Sequence, residues 1–363
     1  MRLYFKLIII ATALFGSLNC KASEVILDSA HVANDGHIKK AFNAGDFVFD
    51  HIMDSYSWHI VADIAMPLPV ILINQQNQFV VFMSNKLDHG HAVYNGYKLI
   101  LEGKNKGKIV QISKSGEEVL PKIDISITKN TAALMIGAFI ILFIFLSVAK
   151  AYKRNPNKAP HGLQNVVEPF IMFVRDDIAK SNIGPKYERF VPFLLTIFFF
   201  IWINNMMGLI PIIPGGANLT GNIAFTGVLA LFTFVIVVTN GNKHFWLEII
   251  DPPGVPNWLK YYFPLLPVLE IVGFFNKPII LMIRLFANIT AGHVIILGFV
   301  SLIFIFGDKS VIGGYAVSPL TVAFGIFMTF LELLVALIQA YVFALLSAIY
   351  IGMAIAEPHH SNH

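Results

Sequence analysis

Five ionisable side chains fall inside two long apolar stretches near the C-terminal end of the sequence: Glu270, Lys277, Arg284 and His293 in 261–306, and Glu332 in 316–356. A charged side chain at a bilayer centre costs about 2.5–3.5 kcal/mol on insertion scales, so each is a functional-site candidate by default. Their chemistry differs. The Arg284 guanidinium stays charged at any relevant pH, so it suits a fixed positive barrier and not a proton carrier. His293 and Glu332 can titrate near neutral pH once burial and a neighbour shift them. At about 100° of helical rotation per residue, Asn288 shares the face of Arg284, while His293 points to the opposite side. Glu332, Gln339 and Tyr350 lie 7 and then 11 residues apart, on one polar stripe. Ala336, Ala340 and Ser347 lie along or near that stripe, and small residues let another helix approach closely. A static salt bridge between Glu332 and Arg284 is the alternative use of these groups, but it would not require a His, an Asn, a Gln and a Tyr as well.

The elements that carry these residues are long. A helix over 316–356 would extend about 60 Å at 1.5 Å per residue, about twice the hydrocarbon thickness. It must fold back or lie strongly tilted. Ser318-Pro319 makes a good helix start, with Pro at the first helical position, and no strong breaker interrupts 320–349, so the spacing predicts one tilted continuous helix. The same reasoning predicts a second long tilted helix from Pro278 to Phe306, within a membrane segment set at 264–306.

The rest of the chain shares this apolar character. Of 363 residues, 56% are hydrophobic and 13% charged, against about 25% charged in a soluble domain. The stretches 131–149, 190–210 and 222–240 contain no Asp, Glu, Lys or Arg, and each is long enough to span a bilayer core of about 20 residues. The fold class expected is an all-α polytopic membrane protein with about five transmembrane helices, two of them long, tilted and C-terminal. An N-terminal extracytoplasmic domain with some β structure precedes them. The net charge of +4 owes three bases to the extreme N-terminus, and without Arg2, Lys6 and Lys21 there are 23 bases to 22 acids. Nucleic acid is therefore not an expected partner. The one cysteine, Cys20, cannot close an internal disulfide.

Arg2 and Lys6 before the apolar run Leu7–Leu18, with Ala22 and Ser23 after it, have the layout of a signal peptide over 1–22. A retained short first helix is the alternative, and Leu18-Asn19 makes a poor lipobox before Cys20. Residues 23–130 then carry ten lysines, twelve acids and six histidines, the composition of a water-exposed domain. Alternation predicts strands at Val70–Ile73, Phe79–Met83, Tyr97–Leu101 and Ile109–Ile112, and Phe42–His59 reads as helical. His31, His37, His51, His59, His89 and His91 lack metal-ligand spacing and read as scattered surface histidines. The tail histidines at 359, 360 and 363 read as a solvated terminus. No metal or cofactor is expected.

Orientation follows from the bases. Residues 150–189 hold eight Lys or Arg and four acids, so this loop is cytoplasmic by the positive-inside rule, and the 23–130 domain lies outside. Within the loop, apolar residues at Val166, Val167, Phe170, Ile171 and Val174 suit a helix lying on the membrane surface over Leu163–Ile178. The hairpin 190–240 turns at Pro211–Gly216. A second inner loop, 241–263, carries Trp246, Trp258, Asp251-Pro252-Pro253 and Lys260. The final membrane helix occupies 316–357, followed by a cytoplasmic tail, 358–363.

The run Arg284-Leu285-Phe286-Ala287-Asn288-Ile289-Thr290-Ala291-Gly292-His293 resembles the signature of subunit a of the F-type ATP synthase, the membrane stator facing the ring of c subunits. Glu332, Gln339-Ala340-Tyr341-Val342-Phe343 and Ile349-Tyr350 look like its final helix, and Ala217-Asn218-Leu219-Thr220-Gly221-Asn222 fits the turn before the third span. The resemblance covers roughly residues 131–357 and leaves 23–130 outside, apart from a short lead-in, as a lineage extension.

The resemblance implies that Arg284 is the family's invariant arginine, separating two aqueous half-channels and driving the c-ring carboxylate to release its proton. It implies that His293 and Glu332 are a His–acid pair with members exchanged relative to many bacterial relatives. Asn288 and Gln339 match polar residues near the arginine, Tyr350 a late aromatic, and Glu270 an acid on the access path. Gly208 departs from relatives that carry an acid there, leaving Asn204 and Asn205 as the strongly polar residues of that span. The implied partners are the c-ring, a b-type peripheral stalk, the catalytic head through the stalks, and lipid, in a bacterial inner membrane. No P-loop pattern occurs, so the chain has no catalytic site of its own. A self-contained transporter would instead show an internal repeat with paired broken helices, which the sequence lacks; serial arginines of a voltage sensor and HExxH or paired-Asp protease motifs are also missing.

Overall fold

A computed structural model describes residues 43–61, 64–101, 103, 105–112, 117–154, 159–210, 216–250 and 265–356. The expected signal peptide with Cys20, most of the 211–216 turn, the Asp251–Lys260 loop and the tail histidines lie outside the described residues.

Among the described residues, the first element is α1 (Ala44–Ile52), capped by the Asn43 side chain, which accepts from the Gly45 N–H at 2.9 Å. Eight short strands follow: β1 (Ser57–Val61), β2 (Ile64–Pro67), β3 (Pro69–Ile73), β4 (Phe79–Met83), β5 (Tyr97–Leu99), β6 (Ile109–Ile112), β7 (Glu118–Val119) and β8 (Ile123–Asp124). They form an antiparallel β1–β2 hairpin and two three-stranded sheets, ordered β4-β3-β8 and β5-β6-β7. The β3–β4 turn is set by Asn74, whose Oδ1 accepts from the Gln76 and Gln78 N–H groups at 3.0 and 2.7 Å. Alternation along β3 buries Val70 and Leu72 against Phe82, Leu87, Tyr97 and Ile109, as a half-buried strand requires.

Helices dominate from there on. They are α2 (Lys129–Arg154), α3 (Leu163–Met172), α4 (Val191–Leu209), α5 (Ile223–Asn240), α6 (Lys243–Ile250), α7 (Leu265–Lys309) and α8 (Val311–Ile355). Five of them, α2, α4, α5, α7 and α8, are long and apolar enough to cross a membrane. At 1.5 Å per residue, 45 residues extend about 68 Å. Keeping such an axis inside a slab of about 30 Å demands a steep tilt from the bilayer normal.

α7 starts at Leu265, beside the 264 boundary read for its membrane segment, whereas the prolines expected as helix starts lie inside both long helices. α8 begins at Val311 instead of Ser318, and Pro319 is internal to it; Pro278 is likewise internal to α7. A proline inside a helix frees a carbonyl, and apolar helices tolerate this where neighbouring groups compensate. Near Pro319, the Ser318 hydroxyl donates to the Gly314 carbonyl at 2.7 Å. The early start is allowed by Gly314, where a Cβ would stand only 3.0 Å from the Gly307 Cα, so the α7–α8 turn closes backbone against backbone.

The N-terminal expectations were also incomplete. The helix ends at Ile52, and His59 lies in β1. The β1–β2 hairpin lacks a strict alternation signal, and β7 and β8 are only two residues each. His91 is exposed.

Two compact units divide the chain. The first comprises Met1–Gly137, Met207–Leu219 and His293–Thr329; the second comprises Ala138–Met206, Thr220–Gly292 and Phe330–His363. In the second, α3 continues as a π-helical segment, Phe173–Lys180. Val167, Val174 and Ile178 on this run are buried. Phe170 stacks near Trp202 at 4.5 Å between ring centres and Phe173 near Tyr341 at 5.5 Å. Within the apolar stripe, Val167 and Val174 are thus buried and Phe170 packs on α4, while Val166 stays 62% exposed. Ala336, Ala340, Ala344 and Ala348 are fully buried at four-residue spacing on α8, which lets neighbouring helices approach closely.

Candidate functional site

The second unit holds Glu270, Arg284 and Asn288 on α7, and Glu332, Gln339 and Tyr350 on α8. On α7, Leu281, Leu285 and Ile289 are buried at four-residue spacing. That stripe fixes the rotation of the helix. Arg284, Ala287, Asn288 and Ala291 are consequently exposed, so the guanidinium and the carboxamide share an outward face edged by small residues, as the spacing predicts. Glu270 is also exposed, and Lys277 half-buried. Glu270, Lys277 and Arg284 follow one another at seven-residue intervals, which keeps them on nearly the same side of a helix.

Glu332 and Gln339 on α8 are buried, at 4% and 6% exposure. Gly292 makes the room for Glu332: a Cβ there would stand 2.8 Å from Glu332 Oε1 and 2.9 Å from its Cδ. The carboxylate thus lies directly on the α7 backbone, about two turns beyond Arg284 and about one turn beyond Asn288. Around Gln339 the interior is polar in a paired way. Thr220 donates through its hydroxyl to Asn205 Oδ1 at 2.7 Å, and the Asn205 amide donates to the Ala336 carbonyl at 3.5 Å. Asn204 instead turns its amide to the Phe200 carbonyl on its own helix at 2.7 Å. Of the two asparagines, Asn205 is the one that links α4 to α8.

Tyr350 is half-buried. The Lys277 ammonium lies 5.5 Å from its ring centre, and Arg284 is within electrostatic reach of its hydroxyl. Tyr350 and Lys277 line a cavity of about 20 Å³ with Thr233, Phe234, Phe274 and Leu281. That is room for about one water molecule. Next to it, the Thr233 and Ser347 hydroxyls hydrogen-bond across α5 and α8 at 3.1 Å.

His293 belongs to the first unit. Its Nε2 lies 3.9 Å from the point a Cβ on Gly208 would occupy, and the Ala217 carbonyl lies 3.2 Å from the same point. Gly208, read in the sequence only as a lost acid, is thus the close neighbour of His293. Lys277 stands out in the sequence as an intramembrane charge but is given no role there, whereas Gly292 and the Thr233–Ser347 pair go unnoticed; nothing in the sequence points to the hydroxyl pair, because it joins two helices far apart in the chain.

These features amount to a fixed cation on an outward face and titratable groups elsewhere on the same two helices, with no constellation for covalent chemistry on the described residues. Comparison with known proteins is decisive about kinship. Residues 132–352 match the family described as ATP synthase A chain, while residues 47–132 match one described only as a domain of unknown function, DUF8433. ATP synthase subunit a of Chloroherpeton thalassium is 40% identical over 283 residues, covering 76% of this chain and 79% of that protein. Its counterpart in Chlorobium phaeobacteroides strain DSM 266 is 39% identical over 290 residues, covering 76% and 81%, and that of Myxococcus xanthus 41% identical over 249 residues, covering 66% and 76%. A 76% share exceeds that of residues 131–357, so with the first two the likeness runs on into the N-terminal domain. With the family matched over most of the membrane region and such relatives covered over most of their length, the chain belongs to the ATP synthase A chain family, that of subunit a, the non-catalytic, proton-conducting stator subunit of the F-type ATP synthase.

Proposed function

We propose that Arg284 faces the c-ring and separates two half-channels, one reaching it from outside by way of His293, Glu332 and Glu270, the other leading to the cytoplasm. The observation that carries this reading is the exposure of Arg284 and Asn288 within the otherwise apolar run 278–289 of α7. An arginine turned to lipid at mid-membrane costs several kcal/mol, so that face calls for a protein partner with a complementary group. A ring carboxylate supplies it. The carboxylate takes a proton from the outer path, becomes neutral and can enter lipid. The ring then turns, and the site gives up its proton to the cytoplasmic path when it meets the fixed charge of Arg284. The arginine also bars a direct leak, because a proton approaching it meets positive charge. The work comes from the transmembrane potential, about 2.3 kcal/mol per charge per 100 mV.

In this reading Asn288, Gln339 and Tyr350 order water and the guanidinium close to the crossing point. The position of Glu332, buried on α8 and set directly against the α7 backbone at Gly292, suits a proton relay between the two helices. The 150–189 loop is placed on the cytoplasmic side by its bases, the N-terminal domain outside, and the protein in a bacterial inner membrane with a b-type stalk and the catalytic head as further partners. Replacing Arg284 with Ala in the assembled complex tests the reading. Proton-driven ATP synthesis is expected to vanish, while the detached catalytic head still hydrolyses ATP; synthesis near the wild-type rate would exclude the role.

A further inference from the structure

The N-terminal domain contributes nothing to the mechanism so far, yet it is packed into the same compact unit as His293. Trp58, on β1, is 3% exposed and packs against Ala133 of α2 and Ala217 of the α4–α5 connection, with Ala132 and Ile136 at its margin. The Ala217 carbonyl lies 3.2 Å from the Cβ position of Gly208, and His293 Nε2 3.9 Å from that position. Trp58, Ala217, Gly208 and His293 therefore form one continuous packed line. The far side of Ala217 is fixed as well, since the Gly216 N–H donates to the Met207 carbonyl at 3.3 Å.

A second contact is independent of the first. Phe47 on α1 meets Phe304 on α7 with ring centres 5.6 Å apart. Phe304 follows His293 by 11 residues, which returns it to within about 20° of the same helix face. The domain thus touches the His293 face of α7 directly at Phe304 and reaches His293 itself through Ala217 and Gly208. Its junction with α2 is stiff: the Lys129 N–H donates to the Ser55 carbonyl at 2.8 Å and the Asn130 N–H to Asp54 Oδ1 at 3.0 Å.

We infer that this domain is a cap on the outer end of the proton path, and that Trp58 is the positioning residue through which it holds the Ala217 segment against Gly208 beside His293. The wall of the path at His293 is then backbone and small side chains kept in place by an indole ring, so the width of the water column there depends on a domain that contacts no proton. The inference rests on the outer path running by His293, as proposed above.

Two readouts test it in the assembled enzyme. In right-side-out vesicles, with Cys20→Ser and Ala217→Cys, a membrane-impermeant maleimide should label position 217 slowly. Adding Trp58→Ala should make labelling at least about tenfold faster, as local opening of a packed segment does, and Trp58→Phe should restore protection. Without the cysteine changes, ATP-driven proton pumping by Trp58→Ala should fall about threefold or more at unchanged ATP hydrolysis, the range of coupling carried by packed networks, with Trp58→Phe recovering most of it. Equal labelling with and without Trp58, or faster labelling with undiminished pumping, overturns the inference. If Trp58→Ala does not assemble, Phe47→Ala serves instead; pumping reduced in the same direction supports the cap, and unchanged pumping refutes it. Normal pumping by His293→Ala would remove the assigned path while leaving the labelling result intact, so the two failures are separable.

Discussion

The Lys277 ammonium lies 5.5 Å from the centre of the Tyr350 ring, on the same side of α7 as Arg284 one heptad further along. Arg284 itself is within electrostatic reach of the Tyr350 hydroxyl, and Glu270 is within reach of Lys277. One aromatic ring on α8 thereby engages two cations of α7. The ring face suits Lys277, because an aromatic quadrupole attracts a cation, and the hydroxyl lies within the field of the Arg284 charge.

The ring and the hydroxyl of Tyr350 can be separated by substitution. Tyr350→Phe keeps the ring over Lys277 and should lower ATP-driven proton pumping only slightly. Tyr350→Leu removes the cation–π contact, worth about 0.5–2 kcal/mol, and should lower pumping several-fold at normal assembly, read by acidification of membrane vesicles. Lys277→Met should match Tyr350→Leu in direction, and the double variant should lose less than the two effects combined, because both remove one interaction.

In the N-terminal domain, the Tyr56 hydroxyl donates to Asp124 Oδ2 at 2.5 Å. Burial, and after it the Asp124 charge, push the Tyr56 phenol above its ordinary value of 10.0. The folded domain then holds this proton more firmly than the unfolded chain does, so the contribution to stability is complete below pH 10 and declines as pH rises beyond it. Hydrogen exchange of β3 and β8 in the intact complex should accelerate more above pH 10 than intrinsic exchange explains. Tyr56→Phe should lose about 1–2 kcal/mol of local protection at neutral pH and show no such additional rise.

How much of this was legible in the residues depends on the kind of signal. Charges set in apolar sequence are conspicuous, so Arg284, His293 and Glu332 stand out, and rotation alone separates the Arg284 face from His293. The β3 and β4 strands were legible because alternation maps directly onto one buried face. The start of α8 was not: Pro319 is a strong local signal, yet it is overridden by the close approach at Gly314. Gly208 and Gly292 illustrate the other limit. A glycine carries no side chain to read, and its use is decided by what a distant segment brings against it, Ala217 in one case and Glu332 in the other.

The α7–α8 turn makes that limit measurable. A Cβ on Gly314 would stand 3.0 Å from the Gly307 Cα and 3.5 Å from the Ile303 carbonyl, and backbone atoms cannot swing aside as a flexible side chain can. Gly314→Val should destabilise the hairpin by about 1–3 kcal/mol, the range for overpacking, and reduce the amount of subunit recovered in assembled complexes on native gels. Gly298→Ala, where nothing lies within 4 Å of the added carbon, should assemble normally and serves as the control.

Gly292 is a different case, because the group that its Cβ would meet is functional. The added carbon of Gly292→Ala would stand 2.8 Å from Glu332 Oε1, 2.9 Å from Cδ and 3.3 Å from Cγ. The Glu332 side chain has rotatable bonds and can move off, so α7 and α8 need not separate, and the cost in stability should be small, within about 1 kcal/mol. The carboxylate, however, leaves its place on the α7 backbone. Assembly and ATP hydrolysis are therefore expected to be normal, with proton pumping reduced at least about tenfold, in line with the loss when a positioned group is displaced by an ångström. Glu332→Asp in the Gly292→Ala background shortens the side chain and should recover part of the pumping, whereas Glu332→Asp alone should lower it. Failure of assembly would assign Gly292 to packing, and full pumping by Gly292→Ala would show that the placement of Glu332 against α7 is not needed for proton transfer.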